Sequence, residues 1–273
     1  MALPRISPPA YRRATLAALV LLTVIVVTGA AVRLTGSGLG CTDWPNCEKG
    51  HLVSPLDYHP LIEFGNRMFT GAVVIAVIAA VLGSVRREPK RRDLVWLSWG
   101  LVAGVIGQIV LGGIAVKTHL NPAVVASHFL VSILLVSDAV VLHHRAADEP
   151  TARGTWLTSA ILAAALCVIV MGTAVTGTGP HAGDETAHRF QFVMTDVARI
   201  HSLFVWLLVA LTVVLALRTR ARAVTVLLAV EVAQGAIGYT QYFMGVPALL
   251  VAFHIVGALA VWIAALPVKL SVV

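Results

Sequence analysis

Gln108 precedes His128 by the same 20 residues that separate Gln234 from His254 (128 − 108 and 254 − 234), each inside an otherwise apolar run. The surroundings repeat as well. Gly107-Gln108-Ile109-Val110-Leu111-Gly112 parallels Ala233-Gln234-Gly235-Ala236-Ile237-Gly238, and Ser127-His128-Phe129 parallels Phe253-His254-Ile255. A third histidine, His201, lies in Ala198-Arg199-Ile200-His201-Ser202, which aligns with Glu63-Phe64-Gly65-Asn66-Arg67 and sets Asn66 opposite it. Histidine in an apolar helix either shares a hydrogen bond with a neighbouring helix or ligates a metal. Two imidazoles at similar depth on different helices suit the two axial positions of a flat porphyrin, and iron held from both faces favours electron transfer over oxygen binding. His201 and His254 form such a pair. His128, facing asparagine instead of a second imidazole, stays open between ligation and a hydrogen-bonding role.

Other polar residues fall in apolar stretches. Glu63 and Asn66 are three apart and share a helix face. Glu63 reads either as an interfacial carboxylate or as a group that positions a reacting atom or takes its proton, with the positive charge of Arg67 nearby to favour its ionised form against burial. Glu231 lies deeper, where an ionised acid costs about 2.5–3.5 kcal/mol; protonation, pairing and a proton path are all open to it. Cys41 and Cys47 bracket Thr42-Asp43-Trp44-Pro45-Asn46. Their spacing suits a loop disulfide or a thiol–disulfide couple, but neither covalent heme attachment nor zinc. Cys167 reads as a small apolar filler. His51, His59, His119, His181 and His188 read as solvated or interfacial, and His143 and His144 lie at the opposite end of their span.

The elements that must hold these residues follow from composition. The chain is 58% hydrophobic and only 12% charged, more apolar than a soluble core requires. Runs of about 20 residues or more, enough to cross a bilayer, occur near 14–32, 63–85, 93–116, 123–143, 155–177, 196–217, 223–242 and 248–268. Backbone groups in lipid need internal partners, so these runs must be helices. The expected fold is an all-α polytopic membrane protein of eight transmembrane helices, arranged as two pseudo-symmetric four-helix bundles. The halves are 1–148 and 149–273, joined by a polar linker over His143–Pro150. Four spans per half return the chain to its starting side, so the repeats run parallel.

All but six of the 20 Lys and Arg residues fall on the side of the termini, the exceptions being Arg33, Lys49, Arg67, Lys117, Arg189 and Arg199. This bias places both termini in the cytoplasm and the histidines roughly 7–10 Å below the outer surface, at about 1.5 Å per residue. The net charge of +7 is thereby explained by topology, without a nucleic-acid partner; membrane lipid is the surrounding phase.

Leu34-Thr35-Gly36-Ser37-Gly38-Leu39-Gly40-Cys41, Trp44-Pro45-Asn46-Cys47 and Ile62-Glu63-Phe64-Gly65-Asn66-Arg67 resemble the heme A synthase family. The eight spans and the histidines on the fourth, sixth and eighth extend the resemblance over nearly the whole chain. It implies an oxidoreductase that converts the C8 methyl of heme O to a formyl group, giving heme A for terminal oxidases. It further implies heme B on His201 and His254 in the C-terminal half, and the substrate heme O in the N-terminal half beside Glu63 and His128. Heme O synthase and terminal oxidase assembly factors are the partners it implies. Two departures stand out. Asn66 occupies the place of the family's first-half histidine, which leaves one iron face open or lets Asn66 contact the iron or a bound water. Residues 178–195 also lack the second cysteine pair of many members. A di-heme cytochrome b that only transfers electrons accounts for the histidines too, but calls for complete ligand pairs. A transporter built from parallel repeats calls instead for broken helices and midplane acids.

Overall fold

The computed structural model describes residues 5–50, 53–148, 152 and 154–271. Among these it forms eight helices: α1 Pro8–Leu34, α2 Tyr58–Arg86, α3 Arg92–Lys117, α4 Pro122–Ala146, α5 Trp156–Thr178, α6 Met194–Arg218, α7 Arg222–Phe243 and α8 Ala248–Ser271. All eight are long and apolar enough to cross a membrane, and the chain is a multi-pass membrane protein. The helices outrun the expected spans because their ends reach into polar flanks. α4 continues to Ala146 and takes His143, His144 and Arg145 out of the expected linker. His51 and Arg153, read above as an outer histidine and an inner cation, lie outside the described residues, as do Glu149 and Pro150 of the linker.

Helix ends follow local chemistry. Pro122 starts α4, where its missing N–H is not needed, and the Asn121 side chain accepts from Ala123 N–H at 3.0 Å. Thr155 caps α5 in the same manner. Outward-facing surfaces carry Leu16, Val20, Ile75, Leu134 and Leu203, with Trp96, Trp99 and Trp156 near one end of the bundle, as amphipathic rings at a membrane interface do.

Each half closes as a ring of four helices. α1 packs on α2, α2 on α3, α3 on α4 and α4 on α1; the C-terminal ring repeats this from α5 to α8. The halves meet through α1–α8, α4–α5 and α4–α8, the set that a twofold exchange of the halves produces. α4 serves both interiors, with Leu135, Ala139 and Leu142 in the N-terminal core and Ile133, Val136 and Val140 in the C-terminal one. Trp262 of α8 donates to Ser137 Oγ at 2.8 Å across this seam. Cys167 does not fill the core as expected: it is exposed on the outside of the bundle, where lipid tolerates it.

With lipid as apolar as the side chains, helices associate mainly by close packing, which small residues permit. Gly83 of α2 lies against Tyr11 of α1, whose hydroxyl pairs with Ser98 Oγ at 3.1 Å. A Cβ at position 83 would come within 2.7 Å of the Tyr11 ring. Gly83→Ala is therefore expected to cost about 1–3 kcal/mol by overpacking, seen as a lowered thermal midpoint in detergent. Gly71→Ala, with nothing within 4 Å of its Cβ, should leave that midpoint in place.

Candidate functional site

In each ring the helices bearing the candidate residues are diagonal: α2 faces α4, and α6 faces α8, with no direct packing between them. The diagonal leaves an interior gap into which side chains project. His201 of α6 and His254 of α8 meet across it, their ring centres 6.4 Å apart and their planes inclined by 71°.

Each ring is gripped by the helix beside it. His201 Nδ1 lies 3.1 Å from the Val168 carbonyl of α5. Side chains on a helix lean toward its N-terminus, so residue i+4 normally covers the carbonyl of residue i. Here that residue is Gly172, and a Cβ there would stand 3.4 Å from His201 Cε1. The glycine leaves the carbonyl open to the ring. His254 is held likewise by α7: Gln234 Nε2 lies 2.9 Å from its Nδ1 and donates to its carbonyl oxygen at 2.7 Å. Gly238, again four residues on, faces His254 Cε1 at 3.0 Å from its would-be Cβ. With Nδ1 occupied in both rings, Nε2 is the nitrogen left for a metal.

The N-terminal ring has the same layout with looser contacts. A Cβ on Gly112 would stand 3.6 Å from His128 Cε1, and one on Gly29 would stand 4.0 Å from Asn66 Nδ2. Asn66 accepts from Thr28 Oγ1 at 2.7 Å. Gln108 donates to the His128 carbonyl at 3.0 Å and to Ser132 Oγ at 2.9 Å, but does not reach the ring, and among the described residues His128 Nδ1 is buried without a partner. Among the described residues, Asn66 and His128 share no hydrogen bond. A cavity of about 260 Å³ opens beside Asn66, lined by Thr28, Val32, Ile62 and Phe69.

Glu63 is buried, and both its oxygens are engaged. Oε2 accepts from Cys41 N–H at 2.8 Å and Oε1 accepts from Arg67 at 2.6 Å. Arg67 also donates to the carbonyls of Asp43 and Asn46, each at 3.0 Å. Cys41 and Cys47 form a disulfide, so the pair Glu63–Arg67 clamps a closed loop onto the end of α2. Trp44 from that loop lies over Gly113 of α3, one residue from the glycine that faces His128. The loop joins the other half as well: Gly38 N–H donates to the Gly183 carbonyl at 2.8 Å, and Arg33 donates to the Thr176 carbonyl at 2.9 Å. His59 bonds Ser37 and His181 lies 2.8 Å from the Val246 carbonyl, so these two read as loop ties. Among the described residues Glu231 has no cationic partner; Thr212 Oγ1 donates to its Oε1 at 2.9 Å.

Sequence reasoning named the histidines, Glu63, Asn66 and Arg67 but missed the glycines. Their signal was present: Gly112 and Gly238 each precede a histidine by the same interval (128 − 112 and 254 − 238 both give 16).

The profile of the cytochrome oxidase assembly protein family matches residues 12–59 and 53–266. The chain belongs to this family. It is also similar to proteins named heme A synthase: 33% identical to that of Geobacillus kaustophilus over 41% of this chain and 35% of the relative. With that of Listeria monocytogenes serovar 1/2a it shares 37% identity over 45% of this chain and 41% of the relative. The chain thus spans about two fifths of the length of the curated relatives it matches.

If Glu63 anchors the loop, Glu63→Ala should free the Cys41 amide. Hydrogen exchange across residues 41–47 is expected to speed up about tenfold, the loss of roughly 1.4 kcal/mol of local protection. Asn66→Ala should leave it unchanged.

Proposed function

We propose that this protein is a heme A synthase, oxidising the C8 methyl of heme O to a formyl group, with heme B resident on His201 and His254. The observation that carries this reading is the approach of those two imidazoles. A metal bound by one nitrogen of each, at about 2 Å per bond, sets the ring centres about 6 Å apart, and 6.4 Å is found. The Nδ1 partner of His201 supports the same ligation. A ring bound through Nε2 carries its hydrogen on Nδ1, which the Val168 carbonyl accepts from His201. When bound, heme B supplies one-electron redox chemistry suited to a four-electron oxidation carried out in steps.

Substrate heme O lies in the N-terminal half, 1–148, in this reading; residues 149–273 form the resident-heme half. His128 offers a single imidazole to the substrate iron, and its Nδ1 has no hydrogen-bond partner among the described residues. Asn66, oriented by Thr28, leaves the opposite iron face to a weak ligand or water. Glu63 takes the proton released from the methyl carbon. Cys41 N–H and Arg67 hold its carboxylate in a fixed position, so Arg67 acts by positioning Glu63 rather than by gripping a propionate alone. The disulfide loop, with Trp44 over α3, shields this chemistry from bulk water. Both termini are cytoplasmic, which puts the heme sites toward the outer face. Heme O synthase and terminal oxidase assembly factors are the natural donor and recipient.

Cells making this chain together with a heme O source should yield extractable heme A. Glu63→Gln should lower that yield at least tenfold while the absorbance of the resident heme stays as in the parent. Full heme A output from Glu63→Gln would remove the acid–base role. His254→Ala should abolish the resident absorbance; Gly238→Val, which changes no ligand, should broaden or shift it by displacing the ring, whereas Gly112→Ala should not. An electron-transfer cytochrome would give no heme A under any of these conditions.

A further inference from the structure

The end of the molecule that carries both termini holds a cavity that neither polar site uses. It lies where α1, α4 and α8 meet, measures about 230 Å³, and is bordered by Arg12, His143 and His144, with Leu19, Ile263 and Pro267 among its apolar walls. Its polar groups are poised but unfilled. Thr15 Oγ1 lies 3.0 Å from His143 Nδ1, which leaves the other ring nitrogen facing outward from that bond, and among the described residues His144 Nε2 is buried without a partner. Some cations at this end have carboxylate partners (Arg5 has Glu88, Arg87 and Arg91 share Asp148, and Arg145 has Asp93), while others, such as Arg13, Arg86 and Arg222, have none among the described residues. Arg12 too has none among them.

The repeat sharpens the contrast. Lys269 stands where His143 stands in the other half (269 − 143 equals 254 − 128), and it donates to Ser159 of α5 at 2.6 Å. There Ala152 N–H donates to the Leu270 carbonyl at 2.8 Å and Gly154 packs on Lys269. Ala152 and Gly154 thus close the C-terminal position, while among the described residues its N-terminal counterpart stays open and basic.

We propose that this cavity binds the phosphate of an anionic phospholipid, with the acyl chains lying along α1 and α8. Arg12, His144 and Pro267 fall within four residues of their helix ends, about 6 Å of axial rise, which is the depth of lipid headgroups. A guanidinium and two imidazoles match a phosphodiester in charge and donors. A neutral quinone would leave the cations unanswered, and a free phosphate ion would leave the apolar walls unused.

The test is titration of the purified, detergent-solubilised full chain with short-chain phosphatidylglycerol, read by native mass spectrometry. One saturable lipid is expected, with affinity about tenfold weaker in Arg12→Gln and in His144→Ala and unchanged in Arg13→Gln, an exposed neighbour outside the cavity. Each variant is first matched to the parent in thermal midpoint without lipid; if His144→Ala fails this, Arg12→Gln and His144→Gln carry the test. Equal binding of short-chain phosphatidylcholine, or an equal loss in Arg13→Gln, would overturn the proposal, as would unchanged binding in Arg12→Gln. Displacement of the lipid by inorganic phosphate at equal concentration would reassign the ligand to the free ion.

Discussion

The contact of each inward histidine with a glycine of the neighbouring helix is what the rest of the site depends on. In lipid, backbone groups must be satisfied within helices, so a reactive centre can be built only from side chains crossing the gap between them. An imidazole that reaches the middle of a four-helix ring must pass the flank of an adjacent helix, and a Cβ at Gly172 or Gly238 would crowd it at 3.4 or 3.0 Å. The same glycines lie four residues past the group that bonds the ring, Val168 or Gln234, so one deletion of a side chain supplies both room and an oriented partner. Diagonal placement of α6 and α8 does the remainder. Helices packed side by side would leave no gap, and the rings could not meet from opposite sides.

This device is duplicated, yet the halves use it differently. Gly257, three residues past His254, lets Gln234 lie close against α8 and reach both the ring and the backbone of the histidine. Val131 stands at the matching place in α4 (257 − 126), and there Gln108 bonds Ser132 and the His128 carbonyl while the ring goes without. A pinned imidazole suits a permanent ligand; an unpinned one suits a site that fills and empties. Asn66 fits the same contrast, since an amide held by Thr28 offers iron far less than a second imidazole. Across the top of this looser ring the loop from Cys41 to Cys47 is held by Glu63 and Arg67, so the residue proposed to move a proton also fixes the cover of its own chamber.

Much of this was legible in the sequence. Eight apolar runs required eight helices because no other backbone satisfies itself in lipid, and parallel repeats follow from four crossings per half. The histidine pair was legible because polar side chains in apolar runs are few enough for each to need a reason. The glycines were not singled out because glycine is common in membrane helices, and only the neighbour's histidine distinguishes Gly238 from Gly235, whose Cβ would meet nothing within 4 Å. The role of Arg67 was read from its charge, but its partners are backbone carbonyls of a loop whose path no periodicity encodes. The ends of α4 were set too early because His143, His144 and Arg145 look like a linker by polarity, yet basic residues in a last turn also favour the helix dipole.

The polar content of the interior follows the imidazole pair rather than the repeat. Glu231 aligns with Val105 (231 − 126) and Thr212 with Val77 (212 − 135), and all four side chains are buried. One half therefore closes its core with two valines at the depth where the other keeps a hydrogen-bonded acid. An ionised acid there would cost about 2.5–3.5 kcal/mol, and a neutral one bonded to threonine costs less but still more than valine. Glu231 shares a helix face with Gln234, three residues on, and Gln234 bonds the ring of His254. Its placement sets the acid in line with the side chain that holds the His254 ring, in one half only.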